Sequence, residues 1–128
     1  MRHAYALIAA AVLATPALAG NESRVEAFAT SDGLVEVVAD FSEDAVYWCG
    51  AAEWARSNLP AQGTEAEIYV WRGPSASRAK PGETAVLFGY RPPPEGKASV
   101  FTGDVEVVGN SMSVAAAAQT CNERSASG

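Results

Sequence analysis

Residues alternate cleanly between two faces over Ala66–Arg72, and Thr84–Arg91 likewise sets Ala85, Leu87 and Gly89 against Val86, Phe88 and Tyr90. In the first segment, Ala66, Ile68 and Val70 fall on one side of the alternation, and the residues between them fall on the other. A period of two is typical of a β-strand that buries one face, so both segments are predicted strands. The run of prolines that follows the second segment ends it, because proline cannot donate to a strand ladder.

A hairpin is predicted nearer the N-terminus, where Asp32-Gly33 separates the apolar segments Val25–Thr30 and Leu34–Phe41. Asp-Gly is a strong signal for a two-residue turn, because both turn positions of that type require a positive φ. A two-residue turn sets the pairing register of the two strands. In that register Phe28 lies on the buried face, and Glu36 lies on the wetter face.

The pattern changes to a helical period over Asp44–Leu59, which is the predicted central helix. Gly50 in its middle costs about 1 kcal/mol relative to alanine. We expect this glycine to let another part of the backbone, near Cys121, come close. The apolar stripe of the helix consists of Ala45, Trp48, Cys49, Ala52, Ala55 and Leu59.

The C-terminal part is less regular. Ser99–Val108 and Ser111–Met112 surround a second turn signal, Gly109-Asn110, and Ser99–Val108 is a predicted strand. Ser113–Cys121 holds four successive alanines and no alternation, which predicts a short helix, with a continuing strand as the alternative. The element order β-β-α-β-β-β-α predicts an α+β fold in two layers, a mostly antiparallel sheet with the central helix and the short C-terminal helix on one face.

The first residues are typical of a signal peptide. Arg2 and His3 precede the apolar run Ala4–Ala14, and Ala17-Leu18-Ala19 matches an A-x-A cleavage site. The run is shorter than the roughly 20 apolar residues that a membrane helix needs. We therefore expect a signal peptide over residues 1–19, a single domain over 20–121 and a flexible tail over 122–128. The protein would be periplasmic or secreted, without a membrane span after cleavage.

Charge and composition exclude several classes of function. Nine Lys and Arg residues face fifteen Asp and Glu residues, a net charge of −6, which disfavours nucleic acid as a partner. The only histidine, His3, lies in the predicted signal peptide. The mature chain would therefore lack an imidazole for a catalytic pair or a zinc site. We expect a monomer with no metal and no cofactor.

The chain has two cysteines, Cys49 and Cys121. In an exported protein of this size two cysteines most simply form one disulfide. This bond would fix the C-terminal segment to the central helix. No C-x-x-C motif is present, so the sequence gives no support to a thioredoxin-like redox role.

Aromatic and cationic residues on two of the predicted strands form the candidate binding site. If the helices cover the face of Ile68, Val70 and Leu87, the aromatic residues line the other face, and an exposed aromatic patch beside cations is typical of a binding surface. The alternative is that the faces are reversed or covered, which would make the aromatic residues part of the core. The predicted binding residues are Tyr69, Trp71, Arg72, Phe88, Tyr90 and Arg91.

Carboxylates offer the remaining route to catalysis, because a pair of them can hydrolyse a glycosidic bond. Spacing along the sequence does not give their separation in space, and solvated acids on the surface are ordinary. The pairs that are close in sequence are Glu43 with Asp44, Glu65 with Glu67, and Asp104 with Glu106.

The segments Tyr47-Trp-Cys-Gly-Ala-Ala-Glu-Trp-Ala-Arg56 and Ser113-Val-Ala-Ala-Ala-Ala-Gln-Thr-Cys121 resemble an uncharacterised family of small exported bacterial proteins. The resemblance covers most of the mature domain. It implies an exported, disulfide-bonded domain, and it implies no activity and no functional residues.

Three functions are compatible with the sequence. The first is a non-enzymatic binding or interaction domain of the cell envelope, for example an inhibitor or accessory protein, with an unknown protein or saccharide partner. This domain would use the aromatic face or the Gly73–Glu83 loop. The second is a small carboxylate-dependent hydrolase acting on cell-wall or sugar substrates. The third is a structural envelope protein without a specific ligand. A cleft with two carboxylates would favour the second, and a flat patch around Trp71 and Tyr90 the first.

Overall fold

A computed structural model describes residues 25–39, 43–99 and 102–127, with side chains as far as Asn122. The predicted signal peptide, residues 1–19, lies outside the described residues. The elements in chain order are β1 (Val25–Ala29), β2 (Val35–Ala39), α1 (Asp44–Asn58), a 3-10 turn (Pro60–Gln62), β3 (Glu67–Ala76), β4 (Thr84–Gly89), β5 (Ser111–Ser113) and α2 (Val114–Ser127).

The five strands form one sheet in the order β1-β2-β4-β3-β5, and every neighbouring pair is antiparallel. Both helices pack on one face of this sheet, and α1 contacts β1, β2 and β4. The predicted α+β fold is therefore confirmed. We call the face turned away from the helices the open face.

The fifth strand is not where the sequence predicts it. The described residues of Ser99–Val108 form turns instead of a strand, and β5 begins only at Ser111. The buried side chain of Asn110 explains this course, because its amide donates to the carbonyl oxygens of Thr102 at 2.7 Å and Asp104 at 2.9 Å. These bonds fold the segment back on itself, so its backbone groups are not available to a ladder.

The β1–β2 hairpin is confirmed, but its predicted register is wrong by one residue. Phe28 pairs with Glu36, and not with Val37. The turn has three residues, because the Thr30 N–H donates to the Leu34 carbonyl at 2.8 Å and Gly33 alone adopts a positive φ, 84°. A slip of one residue moves a side chain to the other face of a sheet. Phe28 and Glu36 consequently lie together on the open face, and Glu36 is buried rather than wet.

The core lies between the two helices and the sheet. Fully buried side chains from α1, including Tyr47 and Trp48, meet Val37, Phe88 and Val70 of the strands. Burying an apolar side chain of this size contributes roughly 1.5–3 kcal/mol, so this layer supplies most of the drive for folding.

Gly50 brings α1 close to the sheet, but not to the segment near Cys121. A Cβ atom at Gly50 would stand 2.7 Å from Cγ1 of Val25 and 2.7 Å from Cγ1 of Val37. These distances are inside van der Waals contact, so an alanine here would push the helix away from β1 and β2. The expectation that Gly50 allows a close approach is confirmed, but the neighbours are Val25 and Val37 of the sheet and not the segment near Cys121.

The predicted disulfide between Cys49 and Cys121 is present, with an S–S distance of 2.06 Å and Cα atoms 4.9 Å apart. It joins α1 to α2, and α2 continues past Cys121 into the segment predicted as a tail, as far as Ser127. Among the described residues, no helix is both long enough and apolar enough to cross a membrane.

Candidate functional site

The six predicted binding residues do not share one face of the sheet. Phe88 is fully buried on the helix side, where its ring lies 5.1 Å from that of Trp48. Tyr90 is on the same side, because it stacks on Trp54 at 5.7 Å and its hydroxyl donates to the Ala51 carbonyl at 2.8 Å. Burial raises the pKa of the Tyr90 phenol, which therefore stays protonated. The prediction of a single aromatic face is wrong, because β4 turns Phe88 and Tyr90 inwards and Leu87 outwards.

Tyr69, Trp71 and Arg72 do lie on the open face. Val70 of β3 pairs with Phe88 of β4, but Arg72 pairs with the very next residue, Leu87, so the register shifts at Trp71. A β-bulge of this kind lets two successive side chains point to the same side. The bulge thus adds Arg72 to the open face, where strict alternation would have turned it towards the helices.

Trp71 and Arg91 contact each other and neighbouring parts of the fold. The Trp71 ring covers Gly89, its Nε1–H donates to the Arg91 carbonyl at 2.9 Å, and the Arg91 guanidinium lies 4.9 Å from the ring centroid. The same guanidinium donates to the Asp32 carbonyl at 3.2 Å. This arrangement connects the hairpin turn to the end of β4, which gives Trp71 and Arg91 a structural role.

A buried carboxylate organises the centre of the open face. The Oε1 atom of Glu36 accepts from the Ser77 hydroxyl at 2.9 Å and from the Ala79 N–H at 3.0 Å, and its Oε2 atom accepts from the Arg78 N–H at 2.9 Å. The Ser77 hydroxyl oxygen in turn accepts from the Lys80 N–H at 2.9 Å. Glu36 therefore holds the chain after β3 across the sheet. We call residues 77–80 the latched loop.

Two opposing effects set the pKa of Glu36. Burial raises it, because a charge is costly away from water, while the bonds from Arg78, Ala79 and Ser77 and the positive charge of Arg72 lower it. The net effect places the pKa below the usual value for Glu, so the carboxylate is ionised and its hydrogen bonds are charge-assisted.

A groove of about 430 Å³ lies on the open face between the hairpin turn and the latched loop. Its floor is apolar and comes from three strands, with Phe28 of β1, Leu34 beside β2 and Leu87 of β4. Arg72 and Arg78 stand among its lining residues. We call this cavity the open-face groove.

The two arginines of the groove differ in how they are held. The Nε–H of Arg72 donates to the Ser75 hydroxyl oxygen at 3.0 Å, and that hydroxyl donates to the Gly73 carbonyl at 3.2 Å, so the guanidinium is fixed in orientation. Arg78 is exposed, and its guanidinium forms no ion pair within the described residues. Of the predicted binding residues, only Arg72 lines the groove.

The carboxylates of the groove are poorly suited to acid catalysis. A glycosidase needs one carboxylic acid whose pKa is raised, so that it can protonate a leaving group. The groove contains Asp32 and Glu36, and the pKa of both is lowered. For Asp32 the main cause is the hydrogen bond from the Thr30 hydroxyl.

One member of each acidic pair named from the sequence accepts a hydrogen bond within the protein. Asp104 accepts from the Glu106 N–H at 2.8 Å, which is a bond within a turn. Asp44 accepts from the Val105 N–H at 3.4 Å, and Glu67 accepts from the Ser111 hydroxyl at 3.2 Å. None of these acids lines the open-face groove.

One group of side chains has the spacing of a metal site, since ligand atoms of Cys49, Glu53 and Cys121 lie within 4.8 Å of one another. Both sulfur atoms belong to the disulfide. Cysteine binds a metal ion through its thiolate, and the two sulfur atoms of a disulfide are not thiolates.

A second, smaller cavity of about 290 Å³ lies at the same end of the sheet, on the helix side of the hairpin. Trp54, Leu59 and Tyr90 give it a mainly apolar lining, and Arg91 is its charged member. Arg91 stacks on Trp71 and bonds to the hairpin turn, so the charged group of this cavity takes part in the contacts that hold the fold together.

Sequence reasoning missed the groove residues Phe28, Glu36 and Leu87. The signal that could have found them is the turn, because Ser31-Asp32-Gly33 also fits a three-residue loop with glycine at its last position. That turn length would have put Phe28 beside Glu36 on one face.

Comparison of the chain with protein-family models, with curated proteins and with solved structures finds no match.

Proposed function

We propose that this protein is an exported, disulfide-stabilised binding domain without catalytic activity, and that its ligand occupies the open-face groove. The observation that carries the proposal is the groove itself, which combines an apolar floor with two arginines. Its volume of about 430 Å³ is within the roughly 300–1,000 Å³ of small-molecule sites.

The state of the carboxylates favours binding over hydrolysis. Glu36 is ionised and both of its oxygens accept hydrogen bonds from the latched loop, so its role is to build the wall of the groove. Asp32 has a lowered pKa and is a poor proton donor. A carboxylate pair in a cleft would support a hydrolase only if one member could remain protonated near neutral pH.

Export is supported by the A-x-A pattern, by the resemblance to small exported bacterial proteins and by the disulfide. The Cys49–Cys121 bond is consistent with an extracellular location, since disulfides persist in oxidising compartments. A structural envelope protein without a ligand is the less favoured alternative, because it would have no need of an oriented arginine above an apolar floor.

A fragment screen by ¹⁵N–¹H NMR on the disulfide-bonded protein tests the proposal. We expect a subset of small fragments to shift the amide signals of Phe28, Leu34 and Ala79. The variant Ala79→Trp should abolish these shifts, because it places an indole in the groove at an exposed position whose N–H bond to Glu36 is retained. Ala116→Trp, at an exposed position on α2, is the matched control and should bind as the original protein does.

The opposite result would refute the proposal. If no fragment shifts the groove signals, or if the shifts survive in Ala79→Trp, the groove is not a binding site. A fragment that binds only at Trp54 and Tyr90 would move the site to the second cavity and would equally overturn the assignment.

A further inference from the structure

We infer that the ligand of the open-face groove is a small organic carboxylate with an apolar body, an inference that rests on the proposed binding function. Three features of the groove support it. These are unused hydrogen-bond donors on its two arginines, a central carboxylate whose oxygens are already bonded within the protein, and a volume that limits the size of the ligand.

The first feature is the supply of donors. A guanidinium has five N–H groups in a fixed planar arrangement that matches a carboxylate. Arg72 uses its Nε–H on Ser75, which leaves its terminal N–H groups without a hydrogen bond within the described residues, and Arg72 lines the groove. The guanidinium of Arg78 has no ion pair within the part of the chain that the structure describes. Bidentate binding to a carboxylate is among the strongest pairings that such groups make.

The second feature is the state of the acceptors. Glu36 and Asp32 also carry charge, so the formal charge of the groove does not by itself select an anion. Hydrogen-bonding capacity favours one at the centre of the groove, because both oxygens of Glu36 already accept from the latched loop. A cationic ligand would compete with those donors for Glu36, whereas an anionic ligand meets terminal N–H groups of Arg72 and Arg78 that make no hydrogen bond within the described residues.

The third feature is the shape. The hairpin turn closes the groove on one side, and the latched loop closes it on the other, where Lys80 also pairs with Glu26 of β1 at 2.9 Å. The groove therefore runs across the strands, from Phe28 towards Arg72, and does not follow a sheet edge. A volume of about 430 Å³ suits a compact molecule better than an extended peptide.

Phenylacetate and its uncharged isostere phenylacetamide, with phenethylamine as the cationic analogue, provide the test by NMR titration. We expect phenylacetate to shift the groove amides with a Kd of about 1 mM, which corresponds to about −4.1 kcal/mol. Phenylacetamide should bind at least fivefold more weakly and phenethylamine more weakly still. Rising NaCl should weaken phenylacetate and leave the amide unaffected.

Arginine variants provide the matched controls. Arg78→Gln should weaken phenylacetate about tenfold, and Arg72→Lys should weaken it several-fold because the charge remains but the planar donor pair is lost. Arg56→Gln, at an exposed position on α1, should have no effect. Arg78 is exposed and its guanidinium forms no ion pair within the described residues, so the fold of Arg78→Gln should be intact, and the unfolding midpoint of each variant checks this.

The outcomes separate this inference from the proposed function. If the amide or the amine binds in the groove as well as the acid, or if Arg56→Gln weakens binding as much as Arg78→Gln, the carboxylate inference is wrong and the binding function stands. If a hexapeptide ending in phenylalanine binds tenfold more tightly than N-acetylphenylalanine, the ligand is a peptide end and not a small acid. If the fragment screen leaves the groove signals unmoved, both proposals fail.

Discussion

Replacing Glu36 with glutamine tests how the open face is built. The amide of glutamine is nearly the same shape as the carboxylate, but one of its two terminal atoms is a donor. In one orientation this NH₂ group faces the Arg78 N–H, and in the other it faces the Ala79 N–H. In either orientation one backbone N–H of the latched loop loses its acceptor. Rotation of the Ser77 hydroxyl cannot restore that acceptor in both orientations.

The expected loss follows from these contacts. Leaving a buried donor without its partner costs about 1–3 kcal/mol, and more where the lost partner is charged. Glu36 is 4 % exposed, so water cannot fully compensate for the lost bond. We expect Glu36→Gln to lower the free energy of unfolding by about 2–4 kcal/mol. For a domain of this size that is a fall in Tm of roughly 10 °C or more.

The pH dependence gives a second, independent measurement. The pKa of Glu36 is lower in the folded protein than its ordinary value of 4.5, so the folded state favours the ionised form. The stabilisation is therefore fully present above about pH 4.5, and it is lost as the pH falls through the folded pKa. The difference in stability between the original protein and Glu36→Gln should be largest near pH 6–7 and should shrink towards pH 3.

Urea unfolding followed by tryptophan fluorescence, with the disulfide intact, measures both effects. Glu65→Gln is the control, because Glu65 is exposed and its substitution should change the stability by less than about 0.5 kcal/mol. A Glu36→Gln protein within 0.5 kcal/mol of the original, or a difference that stays constant from pH 7 to pH 3, would refute the assigned role of the carboxylate.

Three further substitutions test the core. Cys121→Ser should destabilise the protein by about 4 kcal/mol, because Cys49–Cys121 closes a loop of 72 residues, and an unchanged thermal melt would contradict this. Tyr47→Phe should leave stability unchanged or slightly raised in urea unfolding, since the buried Tyr47 hydroxyl has no partner among the described residues, and a loss above 1 kcal/mol would reveal one. Gly50→Ala should destabilise by about 1–2 kcal/mol in calorimetry despite its better helix propensity, because the new methyl group meets β1 and β2; a stabilised variant would contradict the close packing.

The parts of the fold that could be predicted are those in which local pattern and tertiary structure agree. The short apolar run over Thr84–Arg91, which prolines end, identifies β4, and the helical period over Asp44–Leu59 identifies α1. The disulfide follows from the count of cysteines. These signals are sufficient for the α+β architecture, and they do not locate a site.

The parts that could not be predicted depend on contacts between distant residues. Arg72 reaches the open face only through the bulge at Trp71, and a bulge leaves no trace in the alternation of β3. The course of the segment before β5 depends on the side-chain amide of Asn110. This amide can donate to the carbonyl oxygens of Thr102 and Asp104 only once the fold has brought these residues together. Nothing in the sequence around Glu36 indicates that residues 77–79 will cover its side chain.

The register of the hairpin has a physical cause in the packing of α1. At Gly50 the helix stands so close to the sheet that even a methyl group would collide with Val25 and Val37. In the predicted register, Phe28 would have faced this helix, and there is no space for a ring. The observed register places Ala27 opposite Val37 instead, because only a small side chain fits beneath the helix.

The register of the hairpin leads to the open-face groove. Once Phe28 is excluded from the helix side, it must lie on the open face, and its partner in the ladder is Glu36. An apolar ring and a buried carboxylate are thus brought side by side, the carboxylate captures the backbone of the latched loop, and that loop becomes the second wall of the cavity. The close approach of a helix on one face of the sheet thereby determines which side chains are available to form a binding site on the other.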